Sequence, residues 1–370
     1  MGAASVRAEP VCAASMQWRP AHDIASLDGL RAVSICIVIL SHTRSFLPPS
    51  IAKSGLFRYV IGGGLHGVQI FFVLSGYLIT TLLLREYERT GNVSLRRFYA
   101  RRSLRIFPPF YAYLAVLALL WIAGILSEHW PTYLAAATYT FIYFPHPQGW
   151  QLMHTWSLSI EEQFYLLWPI VLVATWPQRK SLPLALGVLA GLPLVRIVLF
   201  FALAHPAGRV PEAVVLSGSI DTLLVGCCLA LLQNRAPWRE TQRRFIHGAS
   251  VAGLLVLGFL LVPYASAKIP DGPVSACLAA FSPTITALSI GSMVVYVVEN
   301  VHSLAGRFLN LAPIRHIGIL SYSLYLWQQF FSSESKPLQL ANYLFMFLAA
   351  EASFWIIEKP VLRLRTRLGI

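Results

Sequence analysis

The sequence predicts an all-α, polytopic integral membrane protein of about ten transmembrane helices with both termini cytoplasmic. Three observations predict it. The 370 residues are 56% hydrophobic and only 12% charged, where a soluble chain carries about 25% charged residues. Apolar runs recur at the roughly 18 to 20 residues that cross a bilayer. The cations collect in alternate segments between those runs.

Ten spans can be placed, at about 27–46, 66–84, 107–126, 155–176, 182–203, 217–233, 247–263, 278–298, 317–333 and 339–357. Residues 135–144 are apolar but too short to span, and read as a buried or re-entrant piece before the fourth helix. With both termini cytoplasmic, 21 of the 29 Lys and Arg lie on the inner side and five lie outside. The inverted topology would violate the positive-inside rule. The expected organisation is a cytoplasmic segment over 1–26, a transmembrane domain over 27–357 and a basic cytoplasmic tail over 358–370. Residues 1–26 lack the basic-then-apolar pattern of a cleaved signal peptide, so the first span is expected to remain in the mature protein.

The formal net charge of +13 does not point to nucleic acid. The cations lie in short inter-span segments, and no aromatic-interleaved basic face is present. The five cysteines show no metal-ligand spacing and no disulfide framework. Ile61-Gly-Gly-Gly-Leu-His lacks the lysine and preceding strand of a phosphate loop. No Gly-x-Ser-x-Gly elbow or zinc motif occurs, so no metal is expected.

Chemistry is expected where ionisable groups enter apolar runs, because the bilayer makes them costly. The first span carries Arg31 near its start and His42 near its end. Eleven residues are three helical turns plus about 20°, so the two share a face about 16 Å apart along the axis. His42 is the general-base candidate, because an imidazole titrates near neutral pH. Asp28 lies one turn from Arg31, and the two can pair. The fourth span opens with His154-Thr-Trp-Ser-Leu-Ser-Ile-Glu-Glu-Gln-Phe-Tyr165. His154, Glu161 and Trp168 form one stripe, with Glu162 about 100° away. The plain alternative is an acidic first turn favoured by the helix dipole. This cluster is expected at the same outer level as His42. On the cytoplasmic side, Arg102 and Arg105 lie one turn apart and can clamp a phosphate. A topology signal with anionic headgroups is the alternative there. Arg196 and Asp221 are expected to pair with each other. His66 and Gln69 are further polar candidates.

Several of these stretches resemble the membrane acyltransferase-3 family. Arg31-x10-His42 resembles its defining motif. Phe71-Phe-Val-Leu-Ser-Gly-Tyr-Leu-Ile-Thr80 resembles its second-helix signature, and Arg102-Ser-Leu-Arg105-Ile-Phe-Pro its Arg-x-x-Arg motif. His154 to Tyr165 resembles the fourth-helix signature. Ser321-Tyr-Ser-Leu-Tyr-Leu-Trp327 and Glu358-Lys-Pro360 are similar to the closing motifs. The matches run in order from about residue 24 to 360. Two positions depart. The Leu-Trp motif often continues with His where this chain has Gln328, and an Arg often stands two residues before Asp221 where this chain has Ser219.

The resemblance implies an O-acyltransferase of a bacterial inner membrane that moves an acyl group, usually acetyl from acetyl-CoA, onto a carbohydrate hydroxyl. It implies His42 as the catalytic histidine with Arg31 as its partner. Glu161 and Glu162 belong to the active-site helix, and Arg102 and Arg105 to the donor site. His154, Trp156, Ser157 and Asp221 are the expected substrate-binding set. No bound cofactor is expected; acyl-CoA is a substrate. The expected mechanism is direct transfer, with Glu161 or Glu162 orienting the His42 imidazole or binding sugar hydroxyls. The chain ends ten residues after Pro360, which leads to the expectation that the appended hydrolase-like domain of some members, and the two-stage relay it serves, are absent. The rival class is a multi-spanning transporter or flippase of a glycan or lipid, for which no internal repeat is seen.

Overall fold

The computed structural model describes residues 25–42, 50, 54, 64–127, 129–144, 149–202, 212–234, 273–332 and 340–367. The expected seventh span, 247–263, lies outside them, as do most of the N-terminal segment and the end of the tail. Among the described residues all regular structure is helical. Four helices there are long and apolar enough to cross a membrane: Leu65–Thr90, Leu95–Ile122, Ser181–Leu199 and Ala280–Glu299. The helix Ser181–Ala202 is apolar apart from the buried Arg196 and exposes Leu184, Leu186, Val188, Leu194, Val195 and Val198, as a lipid-facing helix does.

Helix α1 (Ala25–His42) carries Arg31 and His42. Helix α2 (Leu65–Thr90) runs past the expected boundary at 84. It stops at Gly91, whose φ of 71° suits glycine and whose N–H bonds the Tyr87 carbonyl at 2.8 Å. Helix α3 (Leu95–Ile122) starts well before the apolar run expected from 107, because Ser94 caps it by accepting from the Arg97 N–H at 3.4 Å. Arginine is also a good helix former. Arg102 and Arg105 therefore sit on a rigid helix rather than in a loop. The α2–α3 corner is closed by Glu86, which takes the Ser94 N–H at 3.0 Å and the Arg101 guanidinium at 2.9 Å.

Helix α4 (Trp130–Ala137) and two short 3-10 turns, Phe141–Tyr143 and Trp150–Leu152, lead into α5 (Thr155–Thr175). Then come α6 (Ser181–Ala202), α7 (Glu212–Gln233) and α8 (Pro273–Glu299). The expected span 317–333 is divided. Short helices α9 (Leu304–Leu309) and α10 (Ala312–Ile319) precede a turn at Leu320 and then α11 (Ser321–Phe331). Helix α12 (Leu340–Ser353) passes through a π-helical turn, Phe354–Glu358, into α13 (Lys359–Arg367). The turn places Glu358 inside the protein, where Ser323 of α11 donates to its carboxylate.

The most extensive packing is α2 against α7. A Cβ at Gly76 would strike the Leu223 carbonyl, and one at Gly226 would strike the Val73 carbonyl. The two backbones meet through paired small residues, the usual device of close helix pairs in membranes. Gly226→Leu is expected to lower stability by about 1–3 kcal/mol through overpacking, read as a lower unfolding midpoint of the detergent-solubilised protein. An unchanged midpoint would show the helices can separate at no cost. Gly318 of α10 gives the same close approach to the Asp28 backbone, which seats the start of α1.

Candidate functional site

Two groups of polar side chains lie at opposite ends of α1. The first surrounds His42. Its Nδ1 lies 2.7 Å from the Oε1 of Gln328 on α11, and the Trp150 ring meets it edge-on at 5.5 Å. His154, at the head of α5, lies close enough to His42 for the two imidazoles to interact electrostatically. The His154 ring is buried between Tyr113 and Tyr325, at centroid distances of 5.7 and 5.4 Å. Tyr325 donates to the His154 carbonyl at 3.2 Å, and its hydroxyl lies 2.5 Å from that of Ser157. Trp156 packs edge-on against Phe72 at 6.5 Å. Of the expected substrate-binding set, His154, Trp156 and Ser157 thus share the His42 end of the bundle. His154 and Ser157 are fully buried and serve its packing.

The second group surrounds the three arginines. Arg31 bonds Asp28 at 3.3 Å, the pair expected from their spacing. The Arg102 guanidinium lies 3.8 Å from the centre of the Tyr165 ring, a cation–π contact. It also feels the charges of Glu161 and Glu162. Glu161 accepts from both Ser75 of α2 and Tyr165 of α5. Arg105, exposed where its neighbours are half-buried, is influenced by the charges of Arg31, Arg102 and Glu358. Tyr322 of α11 donates to the Ile106 carbonyl at 3.0 Å and holds this end of α3. Five helices and the π-turn therefore converge on three guanidiniums and four carboxylates.

This geometry corrects one expectation. Glu161 and Glu162 were expected at the level of His42, with one of them orienting its imidazole or binding sugar hydroxyls. Seven residues of helix carry Glu161 about 10 Å along α5 from His154, and its partners are Ser75, Tyr165 and Arg102. The side chain on the His42 Nδ1 is Gln328. Asp221, expected among the substrate-binding residues, is fully buried, ion-paired with Arg196 and bonded by Thr284. Arg196 also donates to the Ala280 carbonyl at 2.9 Å. Those contacts tie α6, α7 and α8 together. His66 and Gln69 bond each other at 2.9 Å within α2.

Ser75, Tyr165, Gln328 and Glu358 were not singled out from sequence as site residues. All four lie in or next to the ordered motifs, which was the available signal. Among the described residues no group of three His, Cys, Asp or Glu is placed to hold a metal ion.

Comparison with known proteins adds a second line of evidence. A family model described as an acyltransferase domain matches residues 24–357. The Bacillus subtilis protein YrhL is 29% identical over 91% of this chain and 55% of its own length. Peptidoglycan O-acetyltransferase OatA of Listeria monocytogenes is 28% identical over 91% of this chain and 56% of its own. O-acetyltransferase OatA of Staphylococcus aureus is 27% identical over 91% and 57%. The chain thus spans about half the length of these relatives. No solved structure matches.

Proposed function

The chain belongs to the acyltransferase-3 family, and from that membership we propose that it is a membrane O-acyltransferase transferring an acyl group, acetyl in the first instance, from acyl-CoA to a hydroxyl of a carbohydrate. The acceptor class is a cell-envelope glycan, in keeping with the peptidoglycan named for its relative in Listeria monocytogenes. The apolar runs support about ten spans of a bacterial inner membrane, and the cation distribution supports cytoplasmic termini.

The observation that carries the reading is the two-ended first helix. Arg31 stands beside Arg105 at one end, and His42 is held by Gln328 at the other. The two ends are separated by about 16 Å along the axis. That spacing suits a donor with an anionic head and a long flexible arm. The phosphates of acyl-CoA dock at Arg105 and Arg31, and the pantetheine arm delivers the thioester to His42. Arg102, stacked on Tyr165 and facing Glu161, holds the wall of the donor channel. His42 takes the proton of the acceptor hydroxyl as its oxygen attacks the thioester carbonyl. The C–S bond then breaks, and the departing CoA thiolate receives the proton from the imidazolium.

The test is an acetyl-CoA-dependent mass gain of about 42 Da, one acetyl group replacing a hydroxyl hydrogen, on isolated envelope glycans in vesicles containing the full chain. Transport of unmodified glycan with no mass gain would favour the flippase class and overturn the proposal. Arg105→Gln is expected to raise KM for acetyl-CoA about tenfold or more, with a smaller effect on kcat, because a charged hydrogen bond contributes about 1.5–3 kcal/mol. An unchanged KM would remove Arg105 from the donor site.

A further inference from the structure

We propose that Gln328 is the positioning residue of His42: its side-chain carbonyl holds the imidazole in the Nδ1–H form and assigns proton acceptance to Nε2. The inference rests on the acyltransferase reading for its catalytic meaning. Gln328 is fully buried on α11, 286 residues from His42 in sequence, with its Oε1 2.7 Å from Nδ1. A neutral imidazole has one donor nitrogen and one acceptor nitrogen, and a carbonyl oxygen only accepts. The proton between the two groups therefore belongs to Nδ1, and the lone pair to Nε2.

The amide orientation has its own support. The Gln328 Nε2 donates to the Oε1 of buried Gln329 at 3.2 Å. Turning the Gln328 amide over would bring two carbonyl oxygens face to face there. Edge contact with Trp150 fixes the imidazole from a second side. Ile39 of α1, with Ser332 and Tyr343, walls a small cavity behind Gln328.

The neutral amide also has a chemical consequence. A carboxylate in this place would stabilise the imidazolium and retain the proton that the CoA thiolate must receive. An amide orients the ring without adding charge. Of the titratable side chains on neighbouring elements, His154 of α5 is fully buried and interacts with His42, and His66 of α2 is held by Gln69. The Asp28–Arg31 pair lies three turns down α1.

The experiment is carbethoxylation by diethyl pyrocarbonate, which attacks only neutral imidazole. It is followed by peptide mass spectrometry from pH 5 to 9 on the full chain in lipid nanodiscs, with exposed His129 as internal reference. Gln328→Glu is expected to move the His42 midpoint up by about one pH unit or more, as an adjacent carboxylate does. Gln328→Met is expected to leave the fold intact and slow the labelling plateau at Nε2 several-fold, because the ring then populates its other tautomer. One common midpoint and plateau in all three proteins would overturn the proposal. Labelling requires no acyl transfer. Absence of transfer by the unaltered chain would therefore count against the acyltransferase reading alone, and leave the role of Gln328 measured.

Discussion

His42→Ala is expected to reduce acyl transfer about a thousandfold, or about 4 kcal/mol of transition-state stabilisation, while membrane levels and acetyl-CoA binding remain near normal. The loss belongs mainly to kcat. In the proposed mechanism His42 acts on the acceptor hydroxyl and the departing thiolate, whereas Arg105 and Arg31 hold the donor's anionic head at the other end of α1. His42 is also only half-buried at the helix end, so truncating it removes little packing. Its partner Gln328 would be left with an unmet carbonyl at a cost of about 1–3 kcal/mol, which a lower unfolding midpoint would report separately. Measurement of initial rates against acetyl-CoA concentration separates these effects. Retained transfer in His42→Ala at normal protein levels would transfer the base role elsewhere. Glu161 would not inherit it easily, since its carboxylate already accepts from Ser75 and Tyr165 beside Arg102.

Much of this architecture was legible in the chain because the governing signals are local or additive. Hydrophobic runs add residue by residue, so the membrane class needed no tertiary knowledge. The Asp28–Arg31 bond follows from one turn of helix. The Arg196–Asp221 pair follows from the cost of an unpaired charge in an apolar medium. The misjudged boundaries have a physical reason too. Hydropathy treats Arg96 to Arg105 as a connection, but backbone helicity depends on caps and propensity, and Ser94 starts the helix before the apolar run. The break at Leu320 is invisible for the opposite reason, because the residues on both sides are equally apolar. The site itself was legible only as a set of residues. Which carboxylate meets which cation depends on how α2, α3, α5 and α11 pack. Seven residues of α5 separate the His154 level from the Glu161 level, and a span-level topology cannot resolve that difference. The His42–Gln328 contact joins residues 286 apart. Nothing local encodes it, although position 328 stood out as a departure from the motif.

The Arg196–Asp221 pair gives the largest expected effect on stability and decides what Asp221 does. Both side chains are fully buried, and Thr284 and the Ala280 carbonyl complete the network. Removing one partner of such a pair costs about 3–5 kcal/mol because the other charge is left unpaired. Asp221→Leu and Arg196→Met are each expected to lower the unfolding midpoint sharply and to cut the yield of monodisperse protein. The double variant removes both charges and is expected to recover most of the loss, since replacing a whole buried pair by apolar residues is often neutral. Its transfer rate per folded molecule should then be close to that of the unaltered chain. A substrate-binding Asp221 would give the reverse pattern, in which the double variant folds but KM for the glycan rises as steeply as in Asp221→Leu. The network lies among α6, α7 and α8, whereas the two polar groups of the candidate site are built from α1, α2, α3, α5, α11 and the π-turn. Its position therefore favours the structural outcome. Arg105 is exposed where Arg196 and Asp221 are fully buried, so recovery of stability and of transfer together in the double variant is the expected result.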